Sequence, residues 1–256
     1  SFAMFYDIAD PNSFCKDIYL LLKKNGKWIL ELSYFPTLLE NLTYDQICHE
    51  HVTYYTLNTF KKIIEKNGMK IQDIDFNEIN GGSIEVICIK KSSSLKINHN
   101  KINKCLEEEK KINFNSYKLL EKRIENTKNI LNLFLKNIKR NEIIAYGAST
   151  KGNIVLNHCN ITEKNIKFVC DANPEKIGRY TPGSNLKIIS KSKMRQLKPK
   201  YLLVLIWSFR KEVIQQELKF IKSGGTLIFH LPIFHLINKY NYKKYINDNF
   251  ETFSYS

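Results

Sequence analysis

No pair of cysteines in this 256-residue chain is spaced C-x-x-C. That excludes the usual zinc ribbon and the thioredoxin-type redox motif. No apolar run approaches twenty residues, so the sequence offers no membrane-spanning helix. No basic-then-apolar leader opens it, which argues against a signal peptide. The phosphate loop G-x-x-x-x-G-K-[ST], the dinucleotide loop G-x-G-x-x-G and the zinc-protease motif H-E-x-x-H are all missing. An initiator methionine is missing too. The chain opens "SFAMFYDI", within an apolar run, as a sequence does whose beginning lies upstream.

What is present is globular. Hydrophobic residues make up 43% and aromatics 12%, enough for two domains of ordinary size. The formal charge is +15. The lysines are spread along the chain among Glu and Asn rather than gathered on one face with stacking aromatics. This pattern argues against nucleic acid and suits a small anionic ligand at least as well. The six cysteines, several in strand-like runs such as "EVICIKK" and "KFVCDAN", read as reduced thiols of a cytoplasmic protein.

Periodicity divides the chain. Residues 1–6 read as a strand end. "SFCKDIYLLLKKNG" reads as a helix capped by Ser13, and "KWILELSYF" as a strand. "TLNTFKKIIEKNGM" is an amphipathic helix with Thr56 as cap and Gly68 as stop. "KIQDIDFNEI" and "SIEVICIKK" are strands joined across "NGG". This order matches the second half of a doubly wound α/β domain closed by an antiparallel hairpin. Residues 100–139 carry an irregular apolar stripe, which points to one interdomain helix rather than a coiled coil. Strand–helix alternation then resumes, with four strands expected in a parallel Rossmann-like sheet. Residues 238–256 read as a polar tail with room for a short helix.

Two stretches carry chemistry. "AYGASTKGN" joins a strand to a helix, where backbone amides can bind phosphate, and Lys151, Ser149 and Thr150 add donors. A plain tight turn is the other reading. Asp171 ends the next strand, where an acid can reach a ribose hydroxyl or cap a turn. Arg179 offers a planar fork suited to a diphosphate. "YDQICHEHVTYYT" (44–56) holds His49, Glu50 and His51 in a row. Adjacent ligands rarely converge on one ion, so no metal site is expected. An acid/base site and a crowded polar turn remain open. If the stretch is helical, Tyr44, Cys48, His51 and Tyr55 share a face.

"YDQICHEHVTYYTL", "NGGSIEV", "YGASTKGN", "DANPEKIGRYTPGS" and "YLLVLIWSFRKEV…GG", in that order, resemble the S-adenosylmethionine-dependent sugar-nucleotide C-methyltransferases of deoxysugar pathways. The resemblance spans nearly the whole chain. It implies residues 1–98 as the later part of a class I methyltransferase domain, 99–140 as an interdomain helical segment, and 141–256 as a C-terminal Rossmann-like domain. That family's zinc-binding N-terminal domain and S-adenosylmethionine glycine loop have no counterpart here. The chain alone is therefore expected to be an inactive fragment, with any zinc confined to the missing domain.

The implied reaction is methyl transfer to a sugar carbon beside a ketone, through an enolate. The resemblance implies His51 as base and Glu50 as its partner. It places Tyr44, Cys48, His49 and Asp7 near the substrate. It sets Gly147, Ser149, Lys151, Gly152 and Asn153, with Asp171 and Arg179, toward the nucleotide. Cys48 stands where many members have Tyr, and Asp7 where some have His. Beyond a nucleotide-sugar substrate, the expected state is monomer or homodimer, with no membrane partner. An NAD-type oxidoreductase, or a non-catalytic nucleotide-binding module, is the alternative reading.

Overall fold

The computed structural model describes residues 1–254. They pack as two compact units. The first comprises residues 1–43 and 49–120, with residues 253 and 254. The second comprises residues 44–48 and 121–252.

The first unit is built on a three-stranded antiparallel sheet. β1 (Lys27–Ser33), β2 (Met69–Asn77) and β3 (Ser83–Lys90) lie in the order β1-β3-β2. The hairpin expected across "NGG" is present, and its return strand β3 inserts between the other two. Ile84, Val86 and Cys88, at alternate positions, are buried, which suits a central strand. Residues 1–3 run parallel to β1, with Ser1 N donating to Ile29 O (2.9 Å) and Ala3 N to Glu31 O (3.1 Å).

Helices α1 (Pro11–Leu21), α2 (Phe35–Asn41), α3 (Leu57–Lys66) and α4 (His99–Glu109) also belong to this unit. The cap of α1 is Asp10, which accepts from Asn12 N and Ser13 N, and not Ser13. Pro11 at the first helical position, needing no amide partner, moves the start upstream. Thr56 caps α3 as expected. Phe5 packs against Trp28, Tyr55 and Phe60 at ring-centroid distances of 5.3–5.7 Å, making an aromatic centre.

The apolar stripe of residues 100–139 is two helices, not one. α4 ends at Glu109, and α5 (Phe114–Lys136) starts after a break. The break lets Glu109 turn inward. Its carboxylate is 7% exposed and accepts from Tyr34 Oη (2.8 Å), Asn58 N (2.9 Å) and Leu57 N. An anion thus closes the N-terminus of α3. Glu109→Ala leaves buried donors without an acceptor and is expected to destabilise the first unit by on the order of 3 kcal/mol. Urea unfolding followed at Trp28, in a Trp207→Phe background, reads that loss.

The second unit is a six-stranded sheet with strand order β6-β5-β4-β7-β8-β9. Its strands are β4 (Ile143–Tyr146), β5 (Phe168–Asp171), β6 (Lys187–Ser190), β7 (Tyr201–Val204), β8 (Thr226–Phe229) and β9 (His235–Ile237). All neighbours are parallel except the antiparallel edge pair β8–β9. Two of the six strands escape sequence reading: β6 is only "KIIS", and β9 only three residues. The helices are α6 (Thr150–His158), α7 (Lys191–Leu197), α8 (Arg210–Gln216), α9 (Leu218–Lys222) and α10 (Tyr242–Asn247). The order runs outward one way from β4 through β5 and β6, then the other way through β7 and β8. The switch point of this α/β sheet therefore lies between β4 and β7. Beyond the carboxyl ends of those strands is where such sheets hold ligands.

Candidate functional site

The stretch 44–56 is not a helix. A single 3-10 turn, Tyr44–Gln46, is followed by irregular chain. The amides of Val52 and Thr53 donate to the carbonyl of Tyr6 (2.9 and 3.2 Å) instead of to the preceding turn. Tyr44, Cys48, His51 and Tyr55 therefore do not share a helical face. Residues 44–48 pack with the second unit, and residues from 49 onward with the first.

In the first unit, the two hydrogen bonds to Tyr6 O hold the turn Phe5–Asp7 beside His51. The rings of Tyr6 and His51 lie 4.3 Å apart, and Tyr54 is 6.3 Å from His51 on centroids. Asp7 follows Tyr6 directly. Its carboxyl is raised above the usual range by partial desolvation; the charge of His51 opposes this and that of Glu50 adds to it. Asp7 thus lies within electrostatic reach of both His51 and Glu50. His49 points outward, 90% exposed, with Nδ1 3.3 Å from Glu50 Oε2. Glu50 is thus a neighbour of both histidines. Among the described residues, no group of three or more His, Cys, Asp and Glu is placed to hold a metal ion.

In the second unit, the glycine turn follows β4 at the switch point. Gly147 has φ +96°, and a Cβ there would lie 2.6 Å from Ile206 Cγ2. Gly152 packs on Leu205, where a Cβ would come to 3.0 Å. Both glycines are thus required for shape. Gly147→Ala is expected to cost about 2–4 kcal/mol through backbone strain and the clash, read by thermal unfolding followed at Trp207. Ser149 caps α6, its Oγ accepting from Gly152 N at 3.0 Å. The carboxylate of Asp171 accepts from Ala148 N (2.7 Å) and Asn173 N (2.8 Å), so it braces the turn from within. Asn153 lies one turn into α6, with Oδ1 buried and without a hydrogen-bond partner. Arg179 is exposed on the turn after Pro174–Lys176, where its carbonyl accepts from Ile188 N.

Helix α6, which carries Lys151 in its first turn, packs on the turn Tyr44–Gln46. Tyr44 pins that segment, its hydroxyl 3.6 Å from Cys159 Sγ and its ring edge-on to His158 at 5.2 Å. The next residue, Asp45, is 1% exposed, and its Oδ2 accepts from Trp207 Nε1 at 2.8 Å. Burial raises the Asp45 carboxyl to about 6, against the attraction of Lys151 and the Trp207 hydrogen bond. Burial lowers the Lys151 ammonium, opposed by Asp45 and then Cys48. The half-buried Lys151 and the buried Asp45 thus act on each other electrostatically, and Trp207 follows β7. Sequence reasoning missed Asp45 and Trp207. Asp45 stands inside the stretch that drew attention to His51, but a lone acid beside a tyrosine has no spacing signature. Trp207, immediately after a strand of a parallel sheet, was the available signal.

A family profile for the C-methyltransferase C-terminal domain matches residues 78–232. The chain belongs to this C-methyltransferase family. It is also 27% identical over 233 residues to the C-methyltransferase NovU of Streptomyces niveus. The match covers 89% of this chain and 55% of NovU, so the chain spans about half the length of that curated relative. The profile match takes in β4, the glycine turn, Lys151, Asp171, Arg179 and Trp207. The match to this C-methyltransferase family, with the parallel sheet, fits the Rossmann-like α/β class expected from sequence. No helix among the described residues is long and apolar enough to cross a membrane.

Proposed function

We propose that this chain forms the substrate-handling part of an S-adenosylmethionine-dependent C-methyltransferase acting on a nucleotide-linked keto sugar. The observation that carries the reading is the match to the C-methyltransferase C-terminal domain over residues 78–232. His51, packed against the Tyr6 ring at 4.3 Å and within electrostatic reach of the Asp7 carboxyl, is the base. It takes the proton from the carbon beside the ketone. The electron pair moves onto the ketone oxygen as an enolate, and the imidazole becomes imidazolium. Lys151, in the first turn of α6, supplies positive charge for the diphosphate. S-adenosylmethionine would supply an electrophilic methyl group. The strand–glycine-turn–helix unit at 147–152 does not fit that molecule: Asp171 already occupies the Ala148 amide, and Ile206 and Leu205 close on the glycines.

The first half-reaction needs no methyl donor, and that makes it testable alone. Incubated in D2O with a thymidine-diphosphate 4-keto sugar, the protein is expected to place deuterium at one carbon flanking the ketone. Label at neither flanking carbon would refute the assignment of this proton transfer to these residues.

A further inference from the structure

We infer that the cleft between α7 and α9 is a binding site for a nucleoside diphosphate. It lies at the amino ends of β7 and β8, the end of the sheet opposite the glycine turn. Nothing in it depends on the function proposed above.

The cavity measures about 690 Å³, within the range of small-molecule sites, roughly 300–1,000 Å³. Its rim is basic. Arg195, Lys198, Lys200 and Lys219 all line it, and all four are exposed. The acid beside Arg195 is Glu217, which is 1% exposed. Its carboxylate accepts from Tyr146 Oη (3.0 Å) and from Arg195 Nη2 (3.1 and 3.3 Å). Glu217 thus holds the guanidinium at the cavity wall from behind. The Arg195 side chain stays 55% exposed, so its five-donor fork keeps N–H groups for a ligand. Among the described residues, no ion pair is made by Lys198, Lys200 or Lys219. The rim therefore carries an excess of positive charge that the protein does not balance within the cleft.

The floor is apolar. Met194 and Pro199 are buried, and Phe220 is half-buried. The end of the Phe220 ring rests on Gly225, where a Cβ would stand 2.3–2.5 Å from three ring atoms. Glycine at 225 is what leaves room for an aromatic ring in this wall. Inorganic phosphate would meet the lysines and leave the apolar floor uncovered. A nucleoside diphosphate answers both halves of the cleft. Its phosphates suit the lysine ammonium groups and the planar Arg195 fork. Its base can stack on Phe220, and every base has the π-face that such stacking needs. The cleft is therefore expected to accept the nucleotide by charge and ring, whatever the base.

The test is an NMR titration of the protein's amide resonances with adenosine diphosphate. It is run at about 150 mM salt, where exposed charges are largely screened. Saturable shifts are expected at Lys198, Lys200, Lys219, Gly224 and Gly225, with a Kd below about 1 mM. Lys198→Glu and Lys219→Glu each reverse an exposed charge and leave the core intact. Each is expected to weaken binding by about tenfold, and pyrophosphate is expected to bind more weakly than adenosine diphosphate. No saturable shift in the cleft overturns the inference, as does binding that both lysine variants leave unchanged. Pyrophosphate binding as tight as that of adenosine diphosphate overturns it too, since charge alone would then explain the site. Shifts confined to residues 147–152 would support the diphosphate contact of Lys151 and overturn the cleft. Shifts confined to the cleft would do the opposite.

Discussion

Asp45→Asn is expected to gain about 3 kcal/mol of stability relative to the parent protein between pH 4 and pH 7. The sign follows from where the proton sits. Burial holds the folded carboxyl at about 6, against 3.8 for the free side chain. Between these values the folded state binds the proton and the unfolded state does not, so wild-type stability falls as pH rises through the window. Above about 6 the loss is complete, and the gap of roughly two pH units corresponds to about 3 kcal/mol. The amide does not titrate, so the variant lacks this slope. The difference between the two stability curves therefore reads the Asp45 ionisation. Urea unfolding at pH 4, 5, 6 and 7, followed at Trp207, measures it. Parallel stability–pH curves would show that Asp45 ionises as an ordinary exposed acid. A buried carboxylate that lowers stability at neutral pH fits a functional site better than a scaffold.

His51→Gln is expected to slow deuterium uptake beside the sugar ketone by about 100- to 10,000-fold, the usual contribution of a positioned general base. Glutamine keeps the polarity and comes near the ring's size, but it cannot accept a proton at neutral pH. The 4.3 Å packing on Tyr6 and the backbone bonds of Val52 and Thr53 are independent of the imidazole nitrogens. The local fold should therefore survive the change, and an unaltered near-ultraviolet circular dichroism spectrum checks this. His49→Gln serves as the comparison. His49 is 90% exposed, and its contact with Glu50 at the surface contributes little, so its exchange rate should stay within about twofold of wild type.

Much of the fold was legible because periodicity is a strong signal over long segments. Thr56, Phe60 and Ile64 mark α3 by cap and apolar spacing, and the β2–β3 pair is marked by β-branched residues around "NGG". Short elements carry too few residues for a period, which is why β6 and β9 were missed. One break decided the helical segment. The stripe through 100–139 is compatible with a single helix until Glu109 is seen turning inward to meet Leu57 and Asn58.

The candidate sites were legible in residue type more than in grouping. His51 and Lys151 stand out by chemistry. That 44–48 packs with α6 while His51 packs with Tyr6 depends on contacts far apart in sequence. Asp45 and Trp207 are 162 positions apart, and no local pattern links them. Asp171 illustrates the reverse case. Its place at the end of β5 suggested a ligand, whereas its oxygens meet the backbone of 148 and 173.

The central claim is that His51 takes a carbon-bound proton, and the most direct measurement is the pH dependence of deuterium exchange. With a thymidine-diphosphate 4-keto sugar and no methyl donor, the wild-type rate should rise with pH through a single ionisation and then level off, as an imidazole base requires. His51→Gln should show a low rate without that step. The same step at the same midpoint in both proteins would contradict the claim and assign the proton to another group.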